Sequence, residues 1–225
     1  MPDYAITDLV PLPNSTVQIP RLGFGVYRSP AKQCVESSRR ALEAGYRHID
    51  TAQFYGNEAE VGTAIKQSGI PRSEVFATTK ILSPAGSPEA TYTKLLESVD
   101  KVGGENGYVD LFLIHSSGSG SAGRKQLWQA LERLLDEGKT RSIGVSNFGV
   151  GHIEKMKAYA KVWPPHVNQI EVSYGYFYME KKSECILTDD EASPLVPTTC
   201  DRCLLQEERD CSRIVRTDCA QLQGQ

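Results

Sequence analysis

Short apolar segments alternate with amphipathic helical patterns from residue 21 to residue 172, and this alternation limits the fold more than any other feature. In the longer segments apolar residues recur at i, i+3, i+4 and i+7, which predicts helices. Strands that alternate with helices build a parallel sheet with the helices as crossovers. The predicted strands are RLGFGVY, YRHIDTA, VFATTK, VDLFLIH, RSIGVSN and HVNQIEV, and the predicted helices cover 31–44, 57–68, 89–102, 125–137 and 150–161.

A doubly wound sheet and a (β/α)8 barrel of the TIM type both satisfy this order of elements. The barrel is favoured because no GxGxxG fingerprint opens the first helix and because polar residues end several strands, where barrel enzymes collect their sites. We therefore expect an α/β barrel that is incomplete, with about six strand–helix units. Residues 5–20 predict a β-hairpin that turns at Pro13-Asn14-Ser15 and closes the amino-terminal mouth.

Composition excludes several classes of function. The 225 residues include 25 basic and 28 acidic side chains, and the net charge of -3 argues against nucleic-acid binding. No segment approaches the roughly 18 apolar residues of a membrane span, and the amino terminus does not resemble a secretory signal. We expect a cytoplasmic protein without a membrane partner, and the sequence leaves its oligomeric state open.

Four side chains that exchange or bind protons lie at or just after the ends of predicted strands. Asp50 ends the second strand, Tyr55 follows five residues later, Lys80 closes the third strand and His115 closes the fourth. Because the carboxyl ends of parallel strands share one edge, the four are expected to form a proton-transfer site. Each has an ordinary alternative when taken singly, such as a turn residue, a solvated lysine or a buried histidine. Their joint placement favours the site.

The chemistry of such a site follows from the residue types. A neighbouring cation stabilises a phenolate, so Lys80 would make Tyr55 a better proton donor, and Asp50 would keep Lys80 charged. His115 would hold the carbonyl oxygen of a substrate in line with the phenol. None of these side chains can supply a hydride, which requires a cofactor. Their spacing has no metal-ligand pattern, so no metal is expected.

Three motifs make the chain resemble the aldo-keto reductase family. The first is GYRHIDTA at 45–52, continued by YGNE at 55–58. The second is GKTRSIGVSNF at 138–148, and the third is NQIE at 168–171. The resemblance covers about residues 5–172, and the motifs are too long for coincidence.

The resemblance implies NADPH-dependent reduction of an aldehyde or ketone, a small-molecule carbonyl substrate, to an alcohol. It implies the same roles for the acid–base residues: Tyr55 as general acid, supported by Lys80, Asp50 and His115. The residues that match those expected to hydrogen-bond the nicotinamide carboxamide are Ser146, Asn147 and Gln169. The loop residues expected to line the substrate pocket are Tyr27 and Phe54.

After residue 172 the sequence departs from the family pattern. Family members continue with two further strands, which supply an aromatic ring against nicotinamide and the residues that hold the adenosine 2′-phosphate. We therefore divide the chain into a partial aldo-keto reductase barrel, 1–172, and a divergent, cysteine-rich tail, 173–225, expected to be poorly ordered. Six strands would leave the first and last strands of the sheet as open edges.

Two explanations of the tail remain open. Cys200-x2-Cys203 with Cys211 and Cys219 could bind zinc, although one CxxC with irregular partners is weak evidence. Alternatively, Val172-Ser173 can be encoded by GTAAGT, a common splice-donor sequence, so the tail could be a splicing or gene-model product. The alternatives to an enzyme are a truncated, non-catalytic barrel that has lost cofactor binding, or a regulatory or binding protein.

Overall fold

The computed structural model describes residues 5–171 together with residues 217–218, and these contain nine short strands and five α-helices. The strands are β1 Leu9–Pro11, β2 Gln18–Pro20, β3 Gly23–Gly25, β4 His48–Asp50, β5 Phe76–Ile81, β6 Leu111–Ile114, β7 Ile143–Ser146, β8 Asn168–Gln169 and β9 Thr217–Asp218. The helices are α1 Ala31–Glu43, α2 Glu58–Gln67, α3 Pro88–Gly103, α4 Gly120–Asp136 and α5 Val150–Met156.

Strands β3 to β8 lie side by side in chain order and pair in parallel, with one helix between each consecutive pair. The sheet curls into an incomplete (β/α)8 barrel, which confirms the predicted fold class. Its carboxyl ends meet at one edge, so β4, β5, β7 and β8 deliver their terminal side chains to the same region. The first edge of the sheet is not open as predicted, because β9 pairs in parallel with β3.

The two faces of the curled sheet pack against different partners, because side chains alternate along each strand. On the convex face, Phe112 and Ile114 join a core with the helices, including Leu95 of α3 and Trp128 of α4. On the concave face, a second core contains side chains of the hairpin and of the strands. Its buried members are Leu12, Val17, Ile19, Phe76, Leu111, Leu113 and Val167.

The predicted hairpin is confirmed and closes the concave face from the amino-terminal side. Strands β1 and β2 pair antiparallel, with Val10 opposite Ile19. Asn14 occupies the turn with φ of 52°, a left-handed conformation that asparagine tolerates better than most residues. Because Ile19 is fully buried against Leu111 and its neighbours, the hairpin fills the lumen below the site.

Helix boundaries differ from the predictions where glycine and serine dominate. Helix α3 begins as predicted, with Ser87 Oγ accepting the amide of Ala90 at 3.1 Å and Pro88 in the first turn. Helix α4 begins at Gly120, five residues before the predicted 125, because tertiary packing overrides the low helix propensity of GSAG. Helix α5 ends at Met156, short of 161. No helix in residues 5–171 is both long and apolar enough to cross a membrane.

Candidate functional site

A buried ion pair between Asp50 and Lys80 forms the base of the site. Asp50 is the last residue of β4 and is 3 % exposed, and Lys80 lies one residue before the end of β5 and is 1 % exposed. The Lys80 ammonium bonds to Asp50 Oδ1 and also donates to the carbonyl of Thr51 at 3.0 Å. A cation this deeply buried is retained only with such partners.

Tyr55 is held above this pair by the short 3₁₀ helix Gln53–Tyr55, which follows β4. Lys80 Nζ donates to the Tyr55 hydroxyl oxygen at 3.3 Å and lies 4.9 Å from the centre of its ring. Gly56 ends the turn with φ of 71°, a conformation that glycine adopts without strain. An ammonium that donates to a phenol oxygen stabilises the phenolate left after proton transfer.

His115 follows β6 and faces the same phenol. Its ring lies edge-on to the Tyr55 ring, with centroids 5.5 Å apart and planes at 77°. Burial and, to a smaller extent, the positive charge of Lys80 lower the pKa of His115 to about 4, against an opposing effect of Asp50. The imidazole is therefore neutral near pH 7. Its buried Nδ1 has no hydrogen-bond partner among the described residues.

Two aromatic side chains stand at the outer side of the acid–base residues. Tyr27 packs on Tyr55 with ring centroids 4.8 Å apart, and Phe54 lies edge-on to His115 at 6.2 Å. Both are unusually accessible for aromatic residues, Phe54 being 63 % exposed. Exposed aromatic surface beside a polar site is typical of a ligand-binding wall.

The three predicted cofactor residues lie at the ends of β7 and β8. Ser146 and Gln169 are buried, and Asn147 is exposed with φ of 56°. The Asn147 side-chain amide donates to Ser146 Oγ at 3.2 Å, and the Asn147 backbone amide donates to the Gln169 carbonyl at 2.9 Å. Gln169 Nε2 also donates to Asp50 Oδ2 at 3.0 Å. This bond joins β8 to the acid–base residues and was not predicted.

Asn57 and Glu58 also lie at the site, although no role was predicted for them from the sequence. Asn57 Oδ1 accepts the Thr51 hydroxyl at 2.7 Å, and its amide donates to the carbonyl of Val26 at 2.9 Å. Burial raises the pKa of Glu58, while hydrogen bonds from Thr79 and Ser98 oppose that shift. The one available signal was their place in the YGNE motif, where a polar pair follows the turn.

A cavity of about 360 Å³ opens beside Phe54 and is lined by Gln53, Glu58 and Ser98 among others. The acid–base residues Tyr55 and His115 do not line it. The cavity therefore lies next to the proton-transfer site and is distinct from it.

Comparison with protein families gives one match that covers most of the chain. The model of the Aldo/keto reductase family matches residues 21–187. The chain is 43 % identical over 160 residues to the 9,11-endoperoxide prostaglandin H2 reductase of Trypanosoma cruzi, covering 71 % of the chain and 55 % of that protein. It is 40 % identical over 182 residues to the glyoxal reductase of Bacillus subtilis, covering 80 % and 64 %.

Solved structures agree with this match. An aldo/keto reductase from Brucella melitensis superposes with a TM-score of 0.68 at 40 % identity, covering 74 % of the chain and 63 % of that structure. An aldo-keto reductase from Bombyx mori, solved in complex with NADP, gives a TM-score of 0.67 at 31 % identity, covering 75 % and 59 %. The chain thus spans between half and two thirds of the length of these relatives. The predictions about a seventh strand, a 2′-phosphate clamp and a zinc site concern residues outside those that the structure describes.

Proposed function

The chain belongs to the aldo/keto reductase family, and we propose that it reduces an aldehyde or ketone to an alcohol with NADPH, Tyr55 acting as general acid. The observation that supports this most directly is the contact of Lys80 with both Asp50 and the Tyr55 hydroxyl, at 3.3 Å from the latter. When bound, NADPH supplies the hydride that the side chains of this chain cannot provide.

The proton would come from the Tyr55 hydroxyl to the carbonyl oxygen of the substrate. Lys80 stabilises the resulting phenolate, and Asp50 holds the ammonium of Lys80 in place. A neutral His115 has one N–H group that would donate a hydrogen bond to the same oxygen. Because a neutral imidazole does not release its N–H proton near pH 7, His115 would orient the carbonyl without competing with Tyr55 as the acid.

The residues at the ends of β7 and β8 fit the carboxamide of nicotinamide. Ser146, Asn147 and Gln169 offer a hydroxyl and two amides, the neutral donors and acceptors that a carboxamide matches. The bond from Gln169 to Asp50 supports their closeness to the acid–base residues. The two relatives are named for glyoxal and for a prostaglandin endoperoxide, which differ widely, so we propose a carbonyl compound as the substrate class and no single substrate.

We also propose a cytoplasmic location, since Cys34 is a free thiol buried in the core between the sheet and the helices. A second candidate, a non-catalytic barrel that binds partners, is favoured by one observation: the sequence departs from the family pattern after residue 172.

Titration of the full chain with NADPH, followed by intrinsic fluorescence and then by NADPH oxidation with glyoxal, separates the two. The enzyme predicts saturable quenching and turnover. Tyr55→Phe should keep the quenching and lose about 100- to 10,000-fold in turnover. A folded preparation that neither binds nor oxidises NADPH would overturn the reductase and favour the non-catalytic barrel.

A further inference from the structure

We propose that Glu58 is a positioning residue that fixes the Tyr55 turn relative to Lys80. This inference rests on the proposed function for its catalytic consequence, although the structural link itself can be measured without turnover. Glu58 is the first residue of α2, three positions after Tyr55, and is 4 % exposed. Among residues 5–171, its carboxyl accepts hydrogen bonds from Thr79 and Ser98 and from none of the predicted site residues, so any effect on chemistry passes through its neighbours.

One oxygen of Glu58 is bonded to the strand that carries Lys80. The Thr79 hydroxyl donates to Glu58 Oε1 at 2.5 Å. Thr79 directly precedes Lys80 in β5, and since successive strand residues point to opposite faces, Thr79 projects toward the helices while Lys80 projects into the site. The bond therefore ties the start of α2 to the backbone that positions the ammonium.

The other oxygen leads back to the turn that carries the phenol. Ser98 Oγ of α3 donates to Glu58 Oε2 at 3.2 Å and accepts Gln53 Nε2 at 2.8 Å. Gln53 is the first residue of the 3₁₀ helix that ends at Tyr55, and its amide also donates to the carbonyl of Lys94 at 3.2 Å. Glu58 thus connects both sides of the Lys80–Tyr55 contact through hydrogen-bonded side chains.

The neighbouring Asn57 anchors the same segment through hydrogen bonds to other elements, so the two residues have separate roles. Asn57 bonds to Thr51 and to the β3–α1 loop at Val26 and Ser29. Of these two residues, Glu58 is the one that bonds to β5 and α3. Without it, the hydrogen bonds from Asn57 would still hold the start of the segment, and the turn at Gln53–Tyr55 would lose its indirect link to β5.

Burial of a carboxyl is costly, and an apolar residue of similar volume would serve packing equally well. Burial raises the pKa of Glu58, which reflects that cost. A carboxyl in this position is explained by its two acceptor oxygens, which serve hydroxyl groups on two different elements.

Hydrogen exchange at the turn tests the structural link in the full chain. The Tyr55 and Gly56 amides donate to the carbonyls of Ala52 and Gln53, and their exchange reports opening of the turn. In Glu58→Ala we expect these amides to exchange about tenfold faster, and in Glu58→Gln within about threefold of the native rate, because glutamine keeps the shape and one acceptor oxygen.

Glu132→Ala is the matched control. Glu132 is an equally buried carboxyl that accepts two hydrogen bonds, from the amides of Lys161 at 2.6 Å and Val162 at 2.9 Å, away from the site. We expect this variant to lose stability without faster exchange at Tyr55 and Gly56. Equal exchange at the turn in the Glu58 and Glu132 variants, at matched stability, would overturn the proposal.

Turnover of the same variants gives the catalytic consequence. Glu58→Ala should lower kcat about 10- to 100-fold with KM within about threefold, because misplacement of the acid affects the transition state more than binding. Glu58→Gln should recover most of kcat. An unchanged kcat in Glu58→Ala would also overturn the proposal. If native protein does not oxidise NADPH, the reductase fails while the exchange result still decides the role of Glu58.

If Glu58→Ala does not fold, Thr79→Val and Ser98→Ala replace it, each removing one hydroxyl that donates to Glu58. Faster exchange at the turn in Ser98→Ala supports the link through Gln53. Native exchange in both variants would contradict it.

Discussion

The predicted acid–base half of the site and the predicted carboxamide half are built on the same edge of the same sheet, yet they are fixed to different degrees. Asp50 and Lys80 are almost fully buried and bonded to each other, to Thr51 and to Gln169. The Asn147 side chain is exposed, and its hydrogen bonds are to its neighbour Ser146 and from the exposed amide of Glu171, beyond the end of β8. The Asp50–Lys80 pair is therefore preorganised by the barrel core, whereas Asn147 in the other half depends little on that core.

The largest effect should come from breaking the buried ion pair. Lys80→Met leaves Asp50 charged, buried and without its cation, so we expect a loss of about 3–5 kcal/mol in the free energy of unfolding, measured with urea. Adding Asp50→Asn should restore a large part, because the stranded charge is removed. Lys157→Met at the exposed Lys157–Glu154 pair is the control, with little effect expected. Equal losses at both lysines would contradict preorganisation.

Acidification should cause the second largest loss in the free energy of unfolding. Burial lowers the pKa of His48, which lies beneath Asp50, from 6.5 to about 4. The unfolded chain therefore binds a proton more tightly than the folded chain between these values. The contribution of His48 to the free energy of unfolding is complete above about pH 6.5. It is lost as the pH drops toward 4, and the loss is on the order of 3 kcal/mol.

His48→Gln provides the check on this pH dependence. Unfolding by urea from pH 7 to pH 4 should show a shallower loss in the variant than in native protein. Part of the slope should persist, because burial also lowers the pKa of His115 to about 4. An unchanged slope would mean that His48 does not titrate in this window.

Gln169→Leu should have an intermediate effect, since this side chain belongs to both halves. The variant loses the bond to Asp50 Oδ2, and a hydrogen bond to a charged group contributes about 1.5–3 kcal/mol. We expect that loss in urea unfolding together with weaker fluorescence quenching by NADPH. Weaker quenching with native stability would show that the Asp50 bond is dispensable.

Asn147→Gly should have the smallest effect on stability. Glycine accepts the φ of 56° without strain, and the exposed side chain loses only two hydrogen bonds at the rim of the sheet, to Ser146 Oγ and from the exposed Glu171 amide, so the free energy of unfolding should change by less than about 0.5 kcal/mol. Half-maximal fluorescence quenching should nevertheless require a higher concentration of NADPH than in the native protein. A large loss of stability would indicate that the carboxamide half is as firmly built as its neighbour.

The fold and the shared location of the predicted acid–base residues could be predicted because both depend on order along the chain. Strand–helix alternation predicts a parallel sheet, and Asp50, Lys80 and His115 then share an edge whatever the detailed geometry. The Gln169–Asp50 bond was not predictable, since it joins residues 119 positions apart and depends on how far the sheet curls. The start of α4 at Gly120 was missed because local propensity of glycine and serine favours a loop.

The pairing of β3 with β9 has a consequence for the order of folding. Each neighbouring pair from β3 to β8 joins elements that are consecutive in the chain, so these contacts can form as the chain leaves the ribosome. The contact of Gly23 and Phe24 with Thr217 and Asp218 closes a loop of nearly 200 residues and must wait until residue 218 is synthesised. Until then, the first barrel strand carries an unpaired edge on the nascent chain.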